Sequence, residues 1–80
     1  MRADALEIEI RTYLEDKLGV AGVGREDALI SSGLVDSGNL VRLATHIERL
    51  TDLTIPDRDI DADHFDSIAM IVEYVTSRSR

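Results

Sequence analysis

Few residues in this chain stand where they could do chemistry, and the first of them are Asp36 and Ser37. They follow an apolar lead, Gly33-Leu34-Val35, and precede a helical stripe. A carboxylate there can accept from the otherwise unpaired amides of a first helical turn, so Asp36 is expected to be an N-cap. Ser37 then opens the helix with a hydroxyl; taken alone, it is an ordinary helix-start serine. Asp57, Asp59, Asp61 and Asp63 alternate as in a calcium loop. The sixth position is Ala62 instead of Gly and the twelfth is Ile68 instead of Glu, so the stretch is expected to be a solvated acidic turn with capping duty, and no metal site is assigned. His46 and His64 lie apart in sequence without ligand partners nearby, and no cysteine is present to complete a zinc site. Both are read as surface or boundary histidines. There is no Ser/His/Asp order, no carboxylate pair and no phosphate-cradling loop. Gly19, Gly22 and Gly24 follow a helix and lack dinucleotide-binding spacing. No catalysis by the chain itself is expected.

The elements that must hold these residues can be read from periodicity. Leu6, Ile10, Tyr13, Leu14 and Leu18 share one face of a helix over about residues 4–18, which Gly19 ends. Leu40, Leu43, Ala44, Ile47 and Leu50 form the stripe of a second helix over about 37–50. Ile68, Ile71, Val72 and Val75 form the inner face of a third over about 66–77, with Met70 and Tyr74 alongside and Asp63 or Asp66 as its cap. A short extra turn is expected at 57–61, after Pro56. The long connection over 20–35 is expected to pack its own Leu29, Ile30, Leu34 and Val35 inward. No stretch alternates as a strand does, which gives an all-α four-helix bundle, three main helices and one short one, forming a single domain over 1–80.

Composition excludes several functions. With 16 acidic residues against 9 basic, the formal net charge is −7. Nucleic acid and anionic membrane surfaces repel such a chain on average. Aromatic residues make up 4% and Trp is absent, so there is no stacking platform for single strands. A helix-turn-helix DNA reader is opposed by the same acidity. No segment reaches the apolar length of a membrane span, and the first residues lead into a charged amphipathic stretch. Cytoplasmic residence and a monomer are expected.

The stretch Gly33-Leu34-Val35-Asp36-Ser37-Gly38-Asn39-Leu40-Val41-Arg42-Leu43 resembles the attachment motif of acyl carrier proteins, in which an Asp-Ser pair begins the second helix. Four further landmarks extend the resemblance over almost the whole chain, one of them the Ile71 and Tyr74-Val75 ending. Ile55-Pro56-Asp57 falls eighteen residues after the serine; Asp63-His64-Phe65-Asp66-Ser67-Ile68 is similar to the family's lead into its last helix; and Asp27-Ala28-Leu29-Ile30-Ser31-Ser32-Gly33 matches the lead-in. The resemblance implies a bundle carrying a 4'-phosphopantetheine arm, moved by a phosphopantetheinyl transferase from coenzyme A onto Ser37. It also implies acyl cargo held as a thioester, an acyl-loading ligase or acyltransferase, and downstream synthase or transferase enzymes. A phosphodiester on Ser37 would sit at a helix N-terminus, where free amides and the macrodipole favour negative charge. In a chain without cysteine, the arm would supply the only thiol. Leu40 and Val41 are placed either as the environment of the arm or acyl chain or as core.

The sequence departs from that family at three positions. Gly38 stands where an apolar side chain usually contacts the transferase and the arm, and it belongs with Leu40 and Val41 to the expected environment of the arm. Arg42 and Arg49 replace frequent acids, and with His46 they make the second helix close to neutral. These three are assigned to partner docking, with partners unlike the basic enzymes of standard fatty-acid synthesis, as in a dedicated secondary-metabolite pathway. Two alternatives remain open: an aminoacyl or peptidyl carrier, and an unmodified helical adaptor.

Overall fold

A computed structural model describes residues 2–78, and among them every regular element is helical. Helix α1 spans Ala3–Lys17, α2 spans Ser37–Thr51, a 3₁₀ turn covers Asp57–Asp59, α3 is the single turn Ala62–Phe65, and α4 spans Ile68–Arg78. The expected bundle and its short member are therefore present. None of these helices is long and apolar enough to cross a membrane.

The stripes read from the sequence are the faces that close the core. Leu6, Ile10 and Leu14 of α1 meet Leu40, Leu43, Ala44 and Ile47 of α2 and Ile68, Ile71 and Val75 of α4, all fully or almost fully buried. Helix α1 packs against both α2 and α4, and α3 packs on α4. Gly19 ends α1 in the left-handed region (φ +70°), and the reversed chain lets Val20 N donate to Leu14 O at 2.8 Å. The long connection needs anchors, since its backbone has no ladder of its own. Val23, Leu29 and Val35 supply apolar ones by pointing into the core. Arg11 of α1 adds a polar one by bonding the Val23 carbonyl. Leu34 does not follow them inward. It is half exposed just after the turn at Gly33 (φ +85°), while the next residue, Val35, is buried.

The last helical region also differs from expectation. The third expected helix is α4, which begins two residues later at Ile68 with the single turn α3 ahead of it, and neither Asp63 nor Asp66 caps α4. Asp61 caps α3, its Oδ1 accepting from His64 N at 3.2 Å. Ser67 precedes α4, its Oγ accepting from Met70 N at 3.1 Å. Asp66 reaches back to the connection, where its carboxylate accepts from Ile30 N (2.8 Å), Ser31 N (2.9 Å) and Ser31 Oγ (2.7 Å). Its carbonyl accepts from Leu29 N at 2.8 Å. Loop amides that no helix satisfies recruit this carboxylate, and the capping contact passes one residue along to Ser67.

Those bonds set an acid limit on the fold. Asp66 is held below its ordinary 3.8, first by the Ser31 amide, then by the Ser31 hydroxyl and the Ile30 amide. The stability it contributes is present above the ordinary carboxylate pKa and is lost as pH falls through the depressed folded value, so the acid limb begins below about pH 4. Asp66→Asn keeps the shape and removes the charge. Urea unfolding as a function of pH is expected to show lower stability at neutral pH and a flatter acid limb. A limb identical to wild type would remove Asp66 from this role.

Candidate phosphopantetheine attachment site

The start of α2 is fixed from both sides by burial. Val35, two residues before Ser37, is 1% exposed, and Leu40, three residues after it, is 3% exposed. Val35 N donates to Leu29 O at 2.9 Å, which ties the lead to the anchored part of the connection. Asp36 between them is extended (φ −82°, ψ 173°) and is the N-cap, as expected. Its Oδ1 accepts from Asn39 N at 2.8 Å, and its carbonyl takes the first helical bond from Leu40 N at 2.9 Å. With the backbone pinned in this way, Ser37 and Gly38 are left facing solvent at the first two positions of the helix. Among the described residues, nothing hydrogen-bonds the Ser37 hydroxyl.

The electrostatics suit a phosphorylated group on that hydroxyl. The Asn39 amide is taken by Asp36, while the first two amides of a helix have no intrahelical acceptor. No acidic residue lies in the first turn of α2. A phosphodiester on Ser37 would thus meet free N–H groups and the positive end of the helix dipole. Space is open as well, since a Cβ built on Gly38 would meet only Asp36 Oδ1, at 3.6 Å. These residues fit the group.

The other expected site residues separate into two places. Leu40 packs in the core beneath the helix start, whereas Val41 is 52% exposed. Arg42, His46 and Arg49 come together with Val41, Thr45 and Tyr13 around a shallow groove of about 260 Å³ between α1 and α2. Tyr13 stacks on His46, with ring centroids 4.4 Å apart and planes 23° from parallel. The sequence placed Tyr13 only in the α1 stripe. The signal for more was its position at the edge of that stripe, where a ring with a polar tip reaches the boundary.

A second cavity of about 300 Å³ lies on α3 and α4, lined by Asp63, His64, Met70, Tyr74 and Arg78 among others. It is a structural joint. Tyr74 Oη donates to Asp59 Oδ2 at 2.6 Å, Arg78 lies 3.8 Å over the Tyr74 ring, and its Nη2 is 3.6 Å from the same carboxylate. The Tyr74 hydroxyl holds the Asp59 carboxyl below its usual range, while burial, ahead of that bond, raises the Tyr74 phenol. The acidic turn thus does structural work. Among the described residues, no group of histidines and carboxylates is arranged to hold a metal ion.

Residues 9–75 match the family described as phosphopantetheine attachment site. No curated protein matches the chain. Members of that family attach 4'-phosphopantetheine covalently to a serine, and as carrier domains they work with a phosphopantetheinyl transferase and with synthase or ligase partners. Such domains are in general not catalytic. The matched span runs from within α1 to within α4 and takes in the Asp36-Ser37 helix start, so the chain belongs to the phosphopantetheine attachment site family and is a phosphopantetheine-bearing carrier.

Proposed function

We propose that Ser37 is the attachment serine and that the chain carries acyl groups as thioesters to partner enzymes in a dedicated polyketide-like, fatty-acid-like or other secondary-metabolite pathway. The observation that carries the assignment is a solvent-facing hydroxyl at the first residue of a helix whose flanking Val35 and Leu40 are locked in the core. On modification, Ser37 Oγ bonds to phosphorus, its proton leaves, and the adenosine bisphosphate half of coenzyme A departs. The arm supplies a terminal thiol for thioester cargo. The chain's own part is to hold Ser37 at a fixed point, keep its first-turn amides free for the phosphodiester, and present the cargo at high effective concentration to whichever enzyme is docked. The acyl class rests on the Leu34-Val35-Asp36-Ser37 lead, and the dedicated pathway on the two arginines of α2. This reading puts the chain in the cytoplasm, with the coenzyme A from which its arm comes.

The test is intact mass after incubation with coenzyme A, magnesium and a broad-range phosphopantetheinyl transferase. Wild type is expected to gain one phosphopantetheine and Ser37→Ala none. No gain in wild type with several transferases would sink the reading. Gly38→Leu restores an apolar side chain where space is open. It is expected to raise kcat/KM for modification about tenfold, the usual size of one apolar contact in a pocket. An unchanged kcat/KM would show that the transferase does not use this position.

A further inference from the structure

The face of α2 beyond Ser37 carries two arginines that, among the described residues, pair with no carboxylate. Arg42, Thr45, His46 and Arg49 recur at three- and four-residue spacing, so they lie along one side of the helix. Four other arginines, Arg2, Arg11, Arg25 and Arg78, each lie within 3.6 Å of a carboxylate, whereas Arg58 of the 3₁₀ turn has none at that distance among the described residues. Among the described residues, neither Arg42 nor Arg49 has a carboxylate at ion-pair distance, and Arg42 bonds only the Asn39 amide oxygen, at 3.2 Å. The one acid within α2, Glu48, is committed to Ile55 N at 2.7 Å. A chain of net charge −7 therefore leaves two guanidiniums bare on one helix face.

That face also has an apolar centre. Val41, one helical turn beyond Ser37, is half exposed at the groove that it lines together with Arg42, Arg49 and the Tyr13–His46 stack. An exposed aliphatic residue bordered by arginines, in a shallow depression, has the composition of a docking surface.

We infer that this face docks an acidic surface of a partner enzyme, with carboxylates meeting Arg42 and Arg49 and an apolar side chain meeting Val41. The inference rests on the carrier reading, which makes the face next to Ser37 the one that approaches an enzyme. It adds the sign of that enzyme's docking patch, negative against the positive row. The spacing favours a protein surface over the chain's own cargo. Arg42 and Arg49 are two turns apart, about 10 Å along the axis, a spacing that separate carboxylates on a protein surface can match. Complementary charge of this kind steers encounter and selects partners, and salt weakens it.

The probes are two amphipathic helical peptides of identical length, one with Glu residues flanking a leucine row and one with Lys in their place. Each is titrated into nitrogen-15-labelled protein at low and at high salt. The Glu peptide is expected to shift the amides of Val41, Arg42, Thr45, His46 and Arg49, less so at high salt, and the Lys peptide is not. In R42E/R49E, whose side chains leave the core untouched, the affinity for the Glu peptide is expected to fall at least about tenfold and the preference to reverse. The inference is overturned if the Glu peptide leaves these amides in place or if the Lys peptide moves them in wild type. It is also overturned if they shift on concentrating the protein alone, which would assign the face to a second copy. Shifts on malonyl loading of the holo-protein without any peptide response would assign it to cargo, with the same result. Mass gain at Ser37 is read separately. Gain without peptide binding defeats this inference alone, and binding without gain defeats the carrier reading alone.

Discussion

Ser37→Ala is expected to stay folded and to show no mass gain under conditions that convert the wild-type chain completely. The effect should be all-or-none because the other described serines are engaged or enclosed. Ser31 Oγ donates to Asp66 Oδ2 at 2.7 Å and Ser32 Oγ to the Ala28 carbonyl at 2.7 Å. Ser67 is 4% exposed and caps α4, and Ser77 Oγ donates to the Tyr74 carbonyl at 2.9 Å. Ser79 lies outside the described residues. Removing the Ser37 hydroxyl deletes no packing and no hydrogen bond, so thermal unfolding should move by no more than about 0.5 kcal/mol. A variant that keeps its melting curve and loses its modification separates site from scaffold. A variant that still gains one phosphopantetheine would move the attachment to another hydroxyl, and tryptic mapping would identify it.

The parts of the fold legible in the sequence are those set by local rules. The three-and-four spacing of Leu6, Ile10 and Leu14 and of Leu40, Leu43 and Ile47 fixes two helix faces without knowledge of what they meet. The Asp36 cap follows from its place before a stripe. The illegible parts depend on a distant residue. Asp66 looks like a cap because it precedes an apolar run, but the amides of Ile30 and Ser31, more than thirty positions earlier, claim its carboxylate. The break between α3 and α4 falls at Asp66, and periodicity does not register it. Leu34 and Val41 illustrate the same limit for the site. Both are aliphatic residues close to Ser37, and only the direction of the backbone at Gly33 and the rotation of α2 decide that they face solvent. The gathering of Arg42, His46 and Arg49 was legible from helical spacing, whereas the Tyr13 ring beneath His46 required the packing of α1 on α2.

Modification and docking both presuppose a helix start held in place, which makes the short α3 more important than its single turn suggests. Phe65 is the chain's only phenylalanine, has 0% exposure and ends α3 with its ring centroid 5.1 Å from that of Tyr74. It joins α3 to α4 at the point where Asp66 turns to grip the connection that leads to Ser37. Phe65→Ala is expected to cost about 3–5 kcal/mol, the transfer free energy of the ring plus the cavity it leaves. An 80-residue domain has about 4–12 kcal/mol of total stability, so the loss is a large fraction of it. The melting temperature should fall by at least about 12 °C, followed by circular dichroism. Val41→Ala serves as the control. It trims a smaller apolar side chain at a half-exposed position and should stay within about 0.5 kcal/mol of wild type. If Phe65→Ala melted with Val41→Ala, the α3–α4 joint would not hold the fold together. If it melted far below and was also modified more slowly at temperatures where it remains folded, the joint would be shown to act on Ser37 through the Asp66 clamp as well as on global stability.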